Sequence, residues 1–271
     1  MAHWTLDDID WSAFRPDLVD PELVRVAKAA ALVEHNGADY AVYLNNVFAG
    51  DGTFGPAIDI WAKEEVQHGA ALARWATLAD PSWDFAAASK RFSEGYRIPL
   101  DVAASVRGSR TAELIARCIV ETGTSSYYAA LADAADEPVF RAVCRRIAAD
   151  ELRHYKLFYD HMRRYQAAEN LGRWGRLRTG LGRIAESEDD ELSYAYYAAN
   201  LWPAPYDRRT AARAYARRAY SVYRPVHIER GIGMALKAVG LKPQGRLHRA
   251  LAAIASRLMA ARARSLAAAD A

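Results

Sequence analysis

The stretch Trp61-Ala62-Lys63-Glu64-Glu65-Val66-Gln67-His68-Gly69 sets a carboxylate and an imidazole three residues apart, and Asp150-Glu151-Leu152-Arg153-His154 does so again. On an α-helix three residues turn the chain by about 300° and advance it roughly 4.5 Å, so Glu65 and His68 share one face, as do Glu151 and His154. Each pair can therefore grip a metal ion from a single helix. Steps of three and four around the first pair reach Ile58, Trp61, Leu72 and Trp75; around the second they reach Phe140, Val143, Ile147 and Phe158. Both pairs interrupt apolar stripes. A charge on a face meant for the core is costly unless something pairs with it, so these carboxylates are expected to be buried for a purpose. Leaving them on the surface would turn both stripes to water.

Two further helices complete the pattern. Asp20-Pro21-Glu22 combines a capping Asp, Pro at the first helical position and an acid in the first turn, and predicts a helix running to about Phe48 that carries Glu34. The breaker-dense segment 49–56 separates it from the second helix, predicted from about Ala57 to Leu78. Residues 81–108 read as a crossover containing a short helix. A third helix, about Thr111 to Ala134, carries Glu121, and Asp136-Glu137-Pro138 opens a fourth that runs to about Ala168. A Glu helix followed by a Glu-x-x-His helix thus occurs twice. Beyond residue 170, helical patterns recur near 188–200, 207–237 and 244–268, none with ligand spacing.

Composition agrees with an all-α chain. With 271 residues and 52% hydrophobic content it can bury a substantial core. It has no uncharged apolar run of about 18 residues, so no membrane span is expected. Its acidic opening lacks the order of a secretion signal. Cys118 and Cys144 fall on inward helical positions and read as small core residues, which points to a reducing, cytoplasmic setting. The net charge of +3 hides a split. Residues 1–170 hold 18 Lys and Arg against 25 Asp and Glu, and residues 171–271 hold 18 against 8. A bundle over 1–170 and a basic helical extension over 171–271 are expected. Arg208, Arg209, Arg213, Arg217 and Arg218 would form either a patch for an acidic partner or ordinary solvated helix faces. No nucleic-acid motif accompanies the charge, so no nucleic-acid partner is expected.

Four carboxylates and two imidazoles are a specific ligand set. Two divalent ions would balance the charge of Glu34, Glu65, Glu121 and Glu151, with His68 and His154 neutral. Glu65 and Glu151 are expected to bridge, Glu34 with His68 and Glu121 with His154 to close the two ends. Oxygen and imidazole ligands suit two iron ions, with manganese or a mixed pair as alternatives, and open positions on them would admit dioxygen. Glu64 and Asp150, each just before a ligand, are candidates to orient imidazoles, though Glu64 reads equally as a solvated acid. His35 reads as peripheral and His161 as a core or rim histidine. Tyr40, Tyr127, Tyr128 and Tyr155 fall near the ligands, which among 15 tyrosines says little about radical storage.

Trp61-x-x-Glu64-Glu65-x-x-His68-Gly69 and Ala149-Asp150-Glu151-x-Arg153-His154, with Thr124 three residues after Glu121, resemble the soluble plant-type acyl-carrier-protein desaturases and their bacterial relatives over roughly residues 21–165. The resemblance implies a ferritin-like four-helix bundle, here with a helical C-terminal extension, and a homodimer. It implies a di-iron site fed by a ferredoxin-type electron donor, with dioxygen as co-substrate, that removes hydrogen from an acyl chain on acyl carrier protein. It places Thr124 near dioxygen, although that hydroxyl reads equally as bonding back to a helix carbonyl, and Asp150 behind the ligands. The chain departs from the family in carrying Gln67 where the plant motif has Arg, and in its tail after residue 170. The alternatives are a di-iron hydroxylase or N-oxygenase acting on a small natural-product intermediate, and an iron-binding ferritin relative without organic substrate; a small apolar substrate is the alternative to acyl carrier protein as partner.

Overall fold

A computed structural model describes residues 3–186 and 190–268, and every regular element within them is helical. Three short 3-10 turns between Leu6 and Leu18 lead into α1 (Pro21–His35), α2 (Gly37–Val47), α3 (Gly55–Ala79), α4 (Phe85–Gly95), α5 (Arg110–Ala134) and α6 (Pro138–Glu169).

The single helix expected from Asp20 to Phe48 is two. Asn36 takes φ −80° and ψ 3°, and its N–H bonds to Val33 O in a tight turn that redirects the chain just after Glu34. The cause lies on the neighbouring helix. A Cβ on Gly37 would stand 2.5 Å from Glu65 Cβ, so α2 starts against α3 at a residue without one. Gly69 does the same for α1, since a Cβ there would lie 2.6 Å from His35 N and 2.9 Å from Ala31 O.

Helices α1 and α3 run antiparallel, with Lys28 paired to Asp80 at one end and Gly37 set on Glu65 at the other. Helices α5 and α6 form the second pair, joined by a three-residue link. Glu137 caps α6 by accepting the Phe140 N–H at 2.7 Å. The same buried carboxylate accepts the Trp75 indole of α3 at 2.8 Å and the Arg15 N–H at 3.1 Å, which fixes the start of α6 against α3 and the N-terminal segment.

The interior is layered. Leu72 and Trp75 of α3, Tyr128 and Leu131 of α5, and Phe140, Val143 and Ile147 of α6 belong to one apolar cluster. Ile58 and Trp61 of α3, Leu114 and Cys118 of α5, and Tyr155 and Phe158 of α6 belong to another. On each of these helices the candidate ligands fall between the two groups. The polar residues form a layer sealed by hydrocarbon above and below.

The extension comprises α7 (Arg173–Ala185), α8 (Asp190–Asn200), α9 (Arg208–Ser221), α10 (Pro225–Ala238) and α11 (Arg246–Ala268). Helix α7 was not expected; its glycines hide a helix whose Gly180 packs against Val239, where a Cβ would come within 2.6 Å of Cγ1. The pattern over 207–237 is two helices, because Pro225 forbids a continuous run. Residues 188 and 189 of the pattern at 188–200 lie outside the described residues. Helix α8 packs on α1, and α7 and α10 pack on α5. Of the five arginines in the candidate patch, Arg208 pairs with Asp190, and Arg217 and Arg218 pair with Glu22 of α1, so part of the basic surface binds the extension to the bundle. Cys118 and Cys144 are buried free thiols. No helix among the described residues is long and apolar enough to cross a membrane.

Candidate metal centre

All six predicted ligands converge. Glu34, Glu65, His68 and Glu151 offer one ligand atom each within 4.8 Å of one another, and so do Glu65, Glu121, Glu151 and His154. Glu65 and Glu151 are common to both quartets, which places them between two positions, with Glu34 and His68 at one end and Glu121 and His154 at the other. All six side chains are buried.

The two imidazoles are turned the same way. His68 Nε2 points outward to Asp150 Oδ2 at 3.0 Å, and His154 Nε2 points outward to Glu64 Oε2 at 2.7 Å. Each Nδ1 faces inward. His68 Nδ1 is 3.3 Å from Glu151 Oε1, and His154 Nδ1 is 2.9 Å from Glu65 Oε1. These four inward atoms are nevertheless buried without an aligned hydrogen-bond partner. Other buried side-chain atoms, Trp61 Nε1 and Thr111 Oγ1 among them, also lack a partner, so it is the meeting of these four carboxylate and imidazole atoms at one focus that marks the place. Inward lone pairs of imidazole and carboxylate, backed by outward hydrogen bonds, are the donor set of a metal site. The two quartets are compatible with two bound metal ions.

Electrostatics lead to the same place. Burial pushes the Glu34 carboxyl well above its usual range, and the charges of Glu65 and Glu151 add to it. Burial likewise raises Glu121, with Glu151 beside it. Burial opposes the charged form of Glu151, yet His154 and His68 outweigh it and hold this carboxyl well below the ordinary value. The imidazoles respond in the opposite sense. Burial disfavours charge on His68, but Asp150 and Glu151 overcome it and push its pKa up to about 9. His154 rises well above 6.5, driven against burial by Glu151, Glu64 and Glu65. Protons held on these imidazoles and carboxyls offset part of the buried negative charge.

Around the ligands sits a shell that the sequence revealed only in part. Asp150 was expected to orient an imidazole, and it holds the one on α3. Its Oδ2 also accepts the Trp4 indole N–H and His3 Nε2, each at 2.7 Å, while Oδ1 accepts Arg153 Nη1 at 2.6 Å. Glu64 is no solvated acid, since it holds His154. Thr124 Oγ1 lies 2.6 Å from Glu151 Oε2 and 3.3 Å from two carbonyls of its own helix; the short contact is to the candidate bridge. Tyr128 donates its hydroxyl to Glu34 Oε1. Trp61 lays an edge toward the His154 ring, with centroids 6.5 Å apart. His35 and His161 stay outside the cluster, against Phe85 and Phe54.

Sequence reasoning missed His3, Trp4 and Tyr128 in these roles. Trp4 stacks on His68 with centroids 6.0 Å apart and an interplanar angle of 8°, and Gln67 Nε2 donates to Trp4 O at 2.8 Å. His3 and Trp4 therefore wall one side of the site. The apolar residues of this opening, Trp4 and Trp11 among them, follow no period that would mark a buried face.

No protein-family model matches the chain, and no curated protein matches it.

Proposed function

We propose that the protein is a di-iron, dioxygen-dependent oxidoreductase that removes hydrogen from an unactivated C–H bond of an acyl chain held by acyl carrier protein. The observation that carries this reading is the set of four inward orphan atoms on Glu65, His68, Glu151 and His154, framed by Glu34 and Glu121. Two bound irons would supply dioxygen activation, chemistry that no amino-acid side chain performs.

The protein's own residues have defined tasks. Glu65 and Glu151 would bridge, and Glu34 with His68 and Glu121 with His154 would close the ends. Asp150 and Glu64 fix the tautomer and direction of the imidazoles by holding their Nε2 atoms. Thr124 orients Glu151 and holds a hydroxyl proton at its Oε2. The apolar clusters on either side exclude bulk water, which strengthens every charge interaction in the layer. A groove of about 380 Å³ between α5, α6 and α10 is lined by Ala129, Ala132, Ala148 and Leu152 beside Asp133, Arg145, His227 and Arg230 and holds none of the six candidate ligands, so the acyl chain and its carrier rest on the resemblance of the two Glu-x-x-His stretches. The electron donor would be an external ferredoxin-type protein.

The test joins metal analysis to mass spectrometry of acyl carriers incubated with protein, reductant and dioxygen. Two metal ions per chain and loss of two hydrogens from the acyl chain are expected. Gain of one oxygen atom would convert the reading to a hydroxylase. Iron oxidation with no change in any acyl carrier would leave an iron-binding protein without organic substrate.

A further inference from the structure

A run of phenol rings leads from the ligand cluster into the extension. Tyr128, bonded to Glu34, has its ring centroid 5.8 Å from that of Tyr127. Tyr127 in turn lies 6.2 Å from Tyr223, at an interplanar angle of 25°, and 6.4 Å from Tyr215. Tyr127 and Tyr128 are buried in α5, whereas Tyr215 on α9 and Tyr223 just after it are half-buried. Phenylalanine would fill the same volume without the cost of burying a hydroxyl. Four phenols in ring contact, beginning on a candidate ligand and ending near solvent, require a reason that packing does not provide.

We infer that Tyr128, Tyr127 and the pair Tyr215 and Tyr223 form a one-electron relay that drains oxidising equivalents from the ligand cluster to the surface at α9. The inference rests on the proposed dioxygen chemistry, and the relay serves when the site is oxidised with no substrate in place. In the first step the Tyr128 ring gives up one electron, which an oxidised metal pair held by the six candidate ligands would accept, and the phenolic proton shifts along the existing hydrogen bond to Glu34, leaving a neutral tyrosyl radical. Tyr127 refills Tyr128 by passing on its electron and proton together, and Tyr215 or Tyr223 refills Tyr127 in the same way, so the proton on Glu34 remains as the balance of the electron taken up at the cluster. A thiol in solution delivers the last electron and proton at the surface, and two such thiols end as a disulfide.

Two measurements test the relay. In the first, iron-loaded protein whose metal content has been verified is mixed with dioxygen without substrate and freeze-quenched for electron paramagnetic resonance. A tyrosyl signal is expected in the wild type. It should be lost in Tyr128→Phe and should persist longer in Tyr127→Phe, where the radical on Tyr128 cannot be refilled. In the second, metal-free protein is oxidised from solution by a photogenerated ruthenium tris-bipyridine oxidant. A radical dependent on Tyr128 is expected, and Tyr127→Phe should abolish it while sparing signals from surface phenols. Circular dichroism verifies that both variants fold. Iron-loaded, dioxygen-consuming protein without a Tyr128-dependent radical overturns the relay, as does a photochemical signal indifferent to Tyr127. Failure to bind iron is read separately by the metal analysis; it removes the proposed function and with it the relay's source of oxidant.

Discussion

Asp150 precedes Glu151 on α6 yet holds His68 of α3, with Oδ2 3.0 Å from Nε2. Glu64 returns the arrangement, preceding Glu65 on α3 and holding His154 of α6 at 2.7 Å. Each Glu-x-x-His helix thus orients the imidazole of the other, and the antiparallel contact of α3 with α6 is built into the site. Asp150→Asn should weaken metal binding roughly 10–100-fold, because a neutral amide is a poorer partner for the imidazole N–H of His68 and for His3 and Arg153. Competition against a chelator of known affinity measures it; unchanged affinity would refute the positioning role.

The bridges and the ends should separate by stoichiometry. Glu65→Ala or Glu151→Ala removes an atom set shared by both quartets and should abolish binding of both ions. Glu34→Ala or Glu121→Ala touches one quartet each and should leave close to one ion per chain. Anaerobic titration with ferrous iron distinguishes the two patterns, and equal losses from all four variants would contradict the shared assignment.

Stability of the metal-free protein should fall as pH rises from about 6.5 to 9. His68 has a folded pKa of about 9 against 6.5 in the unfolded chain, so over that window the folded state binds more protons and loses stability as they leave. His154 acts in the same direction. Glu34 and Glu121, also raised, add the same slope from about 4.5 upward. Asp150, held below its usual range against burial by His68, His3 and Trp4, contributes only in acid, where its share is lost as pH drops below about 4. Metal binding displaces the imidazole protons, so affinity should rise with pH and protons should be released on loading. Urea titrations at several pH values, with and without metal, provide the check; a metal-free protein that gains stability between pH 6.5 and 9 would contradict it.

Buried carboxylates destabilise the empty site, so Glu121→Gln should raise the unfolding midpoint of the metal-free protein while reducing the stabilisation that metal confers. A carboxylate kept in the core for a metal would be held at a cost in stability. Thermal melts of both proteins with and without iron decide the matter; a lower metal-free midpoint for Glu121→Gln would count against it.

Two glycines on the ligand helices should answer alanine in opposite ways. At Gly69 the added methyl meets the backbone of His35 and Ala31, which cannot retreat, and the substitution should cost about 1–3 kcal/mol. At Gly123, exposed in the middle of α5 with nothing within 4 Å of its would-be Cβ, alanine should stabilise by about 0.5–1 kcal/mol and leave metal binding intact. Denaturant midpoints of the two variants test both signs.

The convergence of the six candidate ligands, their division into two quartets and three of the four long helices were legible because they rest on local spacing. Glu65 with His68 and Glu151 with His154 announce themselves by a three-residue step on apolar stripes. What escaped the sequence depends on meetings between distant segments. The break at Asn36 did carry a local signal, the turn-prone Asn36-Gly37 pair, but the apolar period runs through it unchanged, and the close approach of Gly37 to Glu65 shows only in the fold. Glu64 looked solvated because its partner, His154, is 90 residues away. Trp4 and His3 belong to a segment without periodicity, and only folding brings them to Asp150. Helix α7 was lost among glycines whose value lies in the close approach of Val239 at Gly180.

The opening segment has a practical consequence for anyone preparing this protein. His3 and Trp4 rest on Asp150, so a purification tag joined upstream would start beside the wall of the site. A polyhistidine tag there would place a competing chelator next to Glu64 and Asp150 and distort any count of bound ions.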